Sequence, residues 1–192
     1  DPSTVTIGVT SLHNADSHED HLKRISGSAI MVESTPVLKV GECLLNYEEK
    51  GGWTYSRAIQ QAMCDIAEQY GDSTIFMGED MEVAGAFGMN IPLKANGHQE
   101  KLLDMPLCEA VIIHSATGAA LAGMRPMAEI QFGGFAALAH NALINNAAMI
   151  RWRWGADVPI TIRIPLGAKT RSGPFHANMI ESWYSNDPGL VV

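Results

Sequence analysis

Helix-like and strand-like stretches alternate along the chain from about residue 53, with the polar groups gathered in the turns between them. That alternation predicts an α/β fold: a mainly parallel sheet flanked by helices. Two stretches strengthen it. Residues 110–124 carry no charged side chain, and their small residues (Ala116, Gly118, Ala119, Ala120, Ala122, Gly123) fall on several sides, which predicts a buried helix. Residues 158–165 place Val158, Ile160, Ile162 and Ile164 at alternate positions, the pattern of a buried strand.

Taken in order, residues 1–52 read as an N-terminal extension or linker and residues 53–192 as the domain proper. Within the extension, the segment 4–12 could form a strand, residues 37–47 are apolar enough to pack on a neighbour, and Lys50-Gly-Gly reads as a linker. His13, His18 and His21 include a His-x-x-His spacing, but no third ligand is fixed, so solvated histidines are the simpler reading and no metal site is assigned. Thr54 is suited to cap a helix over 55–70, whose apolar residues recur at helical spacing, and Gly71 to end it. Residues 74–77 form a short strand, closed by Gly78-Glu79-Asp80. Acids just past the carboxyl end of a parallel strand are where ligands sit, although acids polarise surface turns as well. Residues 81–97, rich in Gly, Asn and Met, read as loop, either an active-site loop or simply an exposed one.

Next comes the stretch 102–135, read as loop, helix, turn, strand and second turn. Pro106 precedes the helix, and Glu109 falls in its first turn, where exposed amide dipoles favour a negative charge. By spacing alone, Glu109 is first of all an ordinary first-turn acid. Its position between an apolar helix and that dipole also creates the opposed pressures common in catalytic acids. Phe132 and Phe135 follow the strand 126–132, and Gly133-Gly134 permits close backbone approach. A long, largely buried helix over 135–154 is expected next, its asparagines needing partners. His176 lies beyond the last long strand in a glycine-containing loop, where a lone histidine is usually a surface group. A short helix is expected over 179–184.

Composition excludes several classes. With 192 residues, 46% of them hydrophobic, the chain can build a real core, while a net charge of −8 argues against nucleic-acid and anionic-membrane surfaces. The Arg151-Trp-Arg-Trp run is therefore read as packing or a subunit contact rather than base stacking. The three cysteines (Cys43, Cys64, Cys108) cannot all pair and are expected to be reduced, consistent with a cytoplasmic protein, or a mitochondrial-matrix one in a eukaryote. Residues 166–170 lack the glycines of a phosphate loop, and no Gly-x-Gly-x-x-Gly follows a strand, so neither nucleotide motif is assigned. The beginning at Asp1 and the end at Val192 read as cuts through something longer.

Several motifs in order then carry a resemblance: Phe76-Met-Gly-Glu-Asp80, Asp104-Met-Pro-Leu-Cys-Glu-Ala110, Gly118-Ala-Ala-Leu-Ala-Gly-Met-Arg-Pro126, Glu129-Ile-Gln-Phe132, Asn145-Asn-Ala-Ala148, and His176 followed by Pro188-Gly-Leu190. Over residues 53–192 the chain resembles the pyrimidine-binding domain of the beta subunit, or the beta half of a fused alpha–beta chain, of thiamine-diphosphate-dependent 2-oxo acid dehydrogenases. The resemblance implies the thiamine-diphosphate-binding fold. It also implies that Glu109 is the catalytic glutamate bonded to the first ring nitrogen of the cofactor's aminopyrimidine. Phe135 would stack on that ring, Phe132 would line the same wall, and Glu79 would lie near the amino side. His176 would steer the substrate and the lipoyl reaction.

The implied activity is oxidative decarboxylation of a 2-oxo acid with acyl transfer to a lipoyl group on a core acyltransferase. No Gly-Asp-Gly…Asn motif is present, so the ligands of Mg2+ and the diphosphate are expected on an alpha subunit or alpha-type domain, with self-association besides. The fragment alone is expected to be inactive. Departures exist: Phe175-His-Ala-Asn178 stands where the family usually has Gln or Tyr, then His-Ser-Gln, and Cys108 precedes Glu109 where Ser or Ala is usual. Alternatives are another thiamine-dependent enzyme, such as an acetoin dehydrogenase or a transketolase-like one, and a non-catalytic scaffold.

Overall fold

A computed structural model describes residues 54–167 and 173–192, with the backbone of residues 5–11. The three N-terminal histidines, the apolar stretch 37–47, Cys43, the 50–52 linker and residues 168–172 lie outside the described residues.

Strands β1 (Val5–Ser11), β2 (Thr74–Gly78), β3 (Leu102–Asp104), β4 (Arg125–Glu129), β5 (Thr161–Leu166) and β6 (Leu190–Val191) form one sheet in the order β3-β2-β4-β5-β1-β6. Every pairing among them is parallel. The segment 5–11 does form a strand, and it runs between β5 and β6 with Thr6 opposite Thr161.

Alternation along the strands divides the core. Phe76 and Met127, opposite each other in register, join Met63, Cys64 and Ala67 of helix α1 (Tyr55–Tyr70). One residue further along, Met77 and Ala128 face the other way and meet Ile112, Ile113 and Ala116 of α3 (Glu109–Leu121), together with Ile162 and Ile164 of β5. Such two-sided burial is what an all-parallel sheet requires.

The ends of α1 are as the sequence predicts. The Thr54 hydroxyl accepts from the Arg57 amide at 3.3 Å, and Gly71 follows with φ 50°, a conformation that favours glycine. Helix α3 differs in part from the expectation. Its inner face is buried, but Val111, His114, Gly118 and Leu121 are exposed or nearly level with the surface on the outer side. Apolar residues on both sides hid the polarity of the helix from a pattern reading. The stretch 81–97 likewise contains a short helix, α2 (Ile91–Ala95), with Pro92 in its first turn.

The expected long helix over 135–154 is a correction. The chain there forms a 3-10 segment (Gly133–Ala139), a π segment (Ala142–Ala147) and α4 (Ile150–Trp154). The Ala148 amide bonds the Leu143 carbonyl at 2.9 Å, a five-residue step, while the asparagines serve one another: Asn145 Nδ2 donates to Asn141 Oδ1 at 2.8 Å. Local side-chain bonds of this kind compete with a regular α-ladder. Neither Trp152 nor Trp154 packs inward; both are exposed, Arg151 pairs with Asp157, and Arg153 lies over the Trp154 ring. The expected helix over 179–184 is a single 3-10 turn (Glu181–Trp183).

Tyr184 closes the domain's far segment. Its buried hydroxyl donates to the Ala136 carbonyl at 3.1 Å, tying the chain after β5 to the 3-10 segment after β4. Gly133 sits where these elements converge: a Cβ there would come within 2.6 Å of the Asn178 carbonyl oxygen and 2.0 Å of a Leu166 methyl. Gly133→Ala is expected to destabilise the fold by about 1–3 kcal/mol through overpacking, read from the midpoint of urea unfolding.

Candidate functional site

Because the strands are parallel, their carboxyl ends gather at one edge, and the segments leaving that edge build the site. Glu79 follows β2, Glu129 ends β4, Asp104 ends β3, and α3 starts only a few residues after β3. The Met105 amide donates to the Gly78 carbonyl at 2.8 Å, which keeps the exits of β2 and β3 together.

Glu109 is the first residue of α3 and is only 2% exposed. Its Oε2 is buried and has no hydrogen-bond partner among the described residues. The preceding residue, Cys108, takes the capping position with an extended backbone but makes no side-chain capping bond, as expected for a thiol where Ser or Asp would serve. Cys64 and Cys108 are both free thiols.

Glu79 is also buried, and its carboxyl is pushed above the usual range, foremost by burial and then by the charges of Glu109, Asp80 and Glu129. Glu79 and Glu109 are thus near enough for each to feel the other's charge. Among the described residues, no group of three or more His, Cys, Asp or Glu side chains is arranged to hold a metal ion.

Facing the same edge is a set of rings. The Phe132 ring meets Phe135 edge-on at 5.6 Å and His176 at 4.7 Å, and Phe135 meets His176 at 5.5 Å. Phe87 adds a fourth ring, 5.8 Å from Phe132. Helix α3 packs against the 3-10 segment that carries Phe135, so carboxylates and rings share one end of the domain.

Sequence reasoning missed the residues that hold this end in shape. Glu129 and Arg163 stand opposite each other in the β4–β5 register and form a buried ion pair. Burial pushes the Glu129 carboxyl up, while Arg163 and the Ala86 amide, which donates to its Oε1 at 2.7 Å, draw it back. Gln131 Nε2 donates to Asp80 Oδ2 at 3.0 Å, and Asp104 Oδ1 accepts from the Glu82 amide at 2.8 Å. The signals available were Arg163 inside an otherwise uncharged strand and Glu129 at the end of another. Phe87 lies inside the stretch read as either an active-site loop or an exposed one, where nothing singled out that residue.

The profile described as the transketolase pyrimidine-binding domain matches residues 52–192. The chain belongs to that family. It is 37% identical over 143 residues to the 2-oxoisovalerate dehydrogenase subunit beta of Bacillus subtilis, covering 72% of this chain and 43% of that protein. It is 34% identical over 162 residues to the mitochondrial 2-oxoisovalerate dehydrogenase subunit beta of Dictyostelium discoideum, covering 83% and 44%. It is also 37% identical over 117 residues to the acetoin:2,6-dichlorophenolindophenol oxidoreductase subunit beta of Cupriavidus necator, covering 60% and 34%. The chain thus spans less than half the length of these relatives. The resemblance drawn from the motifs, to beta subunits of thiamine-diphosphate-dependent 2-oxo acid dehydrogenases, stands.

The raised Glu79 carboxyl has a consequence for stability. The folded chain holds this proton more tightly than the unfolded one, so the charged form opposes folding above the folded-state value, and the penalty disappears as pH falls below glutamate's ordinary value of about 4.3. Glu79→Gln should therefore raise the melting temperature at pH 7, and its advantage should shrink on acidification toward pH 4, in paired thermal melts.

Proposed function

We propose that this chain supplies the pyrimidine side of a thiamine diphosphate site in the decarboxylating component of a 2-oxo acid dehydrogenase complex. Glu109 carries the reading: a carboxylate 2% exposed at the first position of a helix, with one oxygen left without a partner among the described residues. A buried acceptor of this kind costs free energy until a ligand completes it. A flat nitrogen heterocycle with a donor at its edge fits such an oxygen beside aromatic walls.

In this reading Glu109 shares a proton at Oε2 with the first ring nitrogen of the pyrimidine, shielded from bulk water. Phe135 covers the ring face, Phe132 lines the same wall, and Glu79 stands on the amino side. Thiamine diphosphate, when bound, supplies the nucleophilic carbon that no side chain offers for attack on a 2-oxo acid. His176, in ring contact with Phe132 and Phe135, serves the substrate and the passage of the acyl group to a lipoyl arm on a core acyltransferase.

Mg2+ and the diphosphate fall to an alpha subunit or alpha-type domain. Supporting such a partner, Leu107 is 80% and Phe175 78% exposed near the carboxyl edge, a costly display of apolar surface for a lone chain. The outer face of α3, with Val111 and Leu121 open to solvent, suits self-association. The fragment alone would be inactive, and the assembly would work in the cytoplasm or the mitochondrial matrix. The similarity to the Cupriavidus necator protein favours acetoin cleavage as a second reading; product analysis with a panel of 2-oxo acids and acetoin separates the two.

In the assembled enzyme, Glu109→Gln is expected to lower decarboxylation by roughly 100-fold or more, measured as carbon dioxide release, and undiminished release would refute the assignment. His176→Ala is expected to slow acyl transfer to free lipoamide far more than it weakens cofactor binding; equal transfer rates would remove that role.

A further inference from the structure

We propose that Glu129 and Arg163 form a positioning device that fixes the aromatic wall of the site by clamping the turn before Phe87. The inference rests on the reading of this edge as the pyrimidine site, and it assigns the pair no contact with the ring.

Three observations converge on it. First, the pair is held rigidly: Glu129 and Arg163 are 2% and 5% exposed, face each other across β4 and β5, and are locked on either side by the sheet's own bonds, including the Ile130 amide to the Arg163 carbonyl at 3.0 Å. Second, the carboxylate is shared. One oxygen pairs with Arg163, while the other accepts from the Ala86 amide at 2.7 Å, across 43 residues of chain. Third, the residue that follows is strained. Phe87 takes φ 60°, a left-handed conformation that residues with a Cβ avoid, between Gly85 at 69° and Gly88 at 71°. Such a turn persists only where the surroundings over-determine it.

The bond to Glu129 is one constraint and the Gln60 Nε2 bond to the Gly88 carbonyl, at 3.0 Å, is another. Their combined effect is to set the Phe87 ring against Phe132, which in turn touches Phe135 and His176. Burial pushes the Glu129 carboxyl up and Arg163 opposes that push, and the more negative the acceptor, the stronger its bond to Ala86. Glu129 therefore acts through the wall, as a positioning residue.

Removing one member alone would strand the other's charge in the core, so the test uses paired changes in the full chain within its native assembly. E129L/R163M removes both charges and the acceptor; E129Q/R163M removes the charges but keeps an oxygen for Ala86. Both are expected to melt near the unaltered protein. In the first, the Ala86 amide should exchange with solvent ~10-fold faster, and the thiamine diphosphate concentration for half-activity should rise ~10-fold with little change in kcat at saturation. The second should restore both values to within ~3-fold of the original. Unchanged Ala86 exchange in the first variant overturns the clamp. Faster exchange with an unaltered cofactor requirement overturns its role in the site. Should Glu109→Gln remain active in the same preparations, the reading of the edge is what has failed, and Ala86 exchange then decides the clamp alone.

Discussion

Burying carboxylates at the rim of an apolar sheet is the constraint on which the rest of this domain depends. Glu79, Glu109 and Glu129 all lie out of solvent near one another, and each must be accommodated differently. Glu129 is neutralised by Arg163 and bonded by the Ala86 amide. Glu79 is left holding its proton more tightly than a free glutamate. Glu109 retains an oxygen that none of the described residues satisfies. Replacing such groups by apolar residues would often leave a fold more stable, so their presence argues for a use other than stability.

The architecture makes the concentration possible. Parallel strands send all their exits to one edge, and the two-faced burial of Phe76 against Met77, and of Met127 against Ala128, keeps the sheet dry beneath it. Helix α3 then enters from β3 with Glu109 as its first residue, and the Gly133-Gly134 pair lets the segment carrying Phe135 pass close to Leu166 and Asn178. Fold and site are thus one construction: the glycines and small residues give the backbone proximity, and the rings and acids fill it.

Much of this was legible in the residues. Thr54 and Gly71 mark α1 to the residue, because capping is local chemistry. Most strands were visible in their apolar runs, but β3 (Leu102–Asp104) lies in a stretch read as loop, being only three residues long with a charged end. The ordered motifs carried the family, since spacing over a hundred residues is hard to meet by chance. What escaped has physical reasons. The segment 133–154 has strong helical composition, but its geometry is settled by the asparagines bonding one another and by packing under Tyr184, neither of which periodicity encodes. The exposed face of α3 is as apolar as the buried one, so no pattern could separate them. The Glu129–Arg163 pair is a matter of strand register, which only the assembled sheet defines.

The Tyr184 tether adds a last point. Its phenol is pushed up to about 12, chiefly by burial, so the hydroxyl keeps its hydrogen well past neutral pH. The tail that follows His176 is consequently moored to the Ala136 carbonyl by a neutral link that depends on no charged partner.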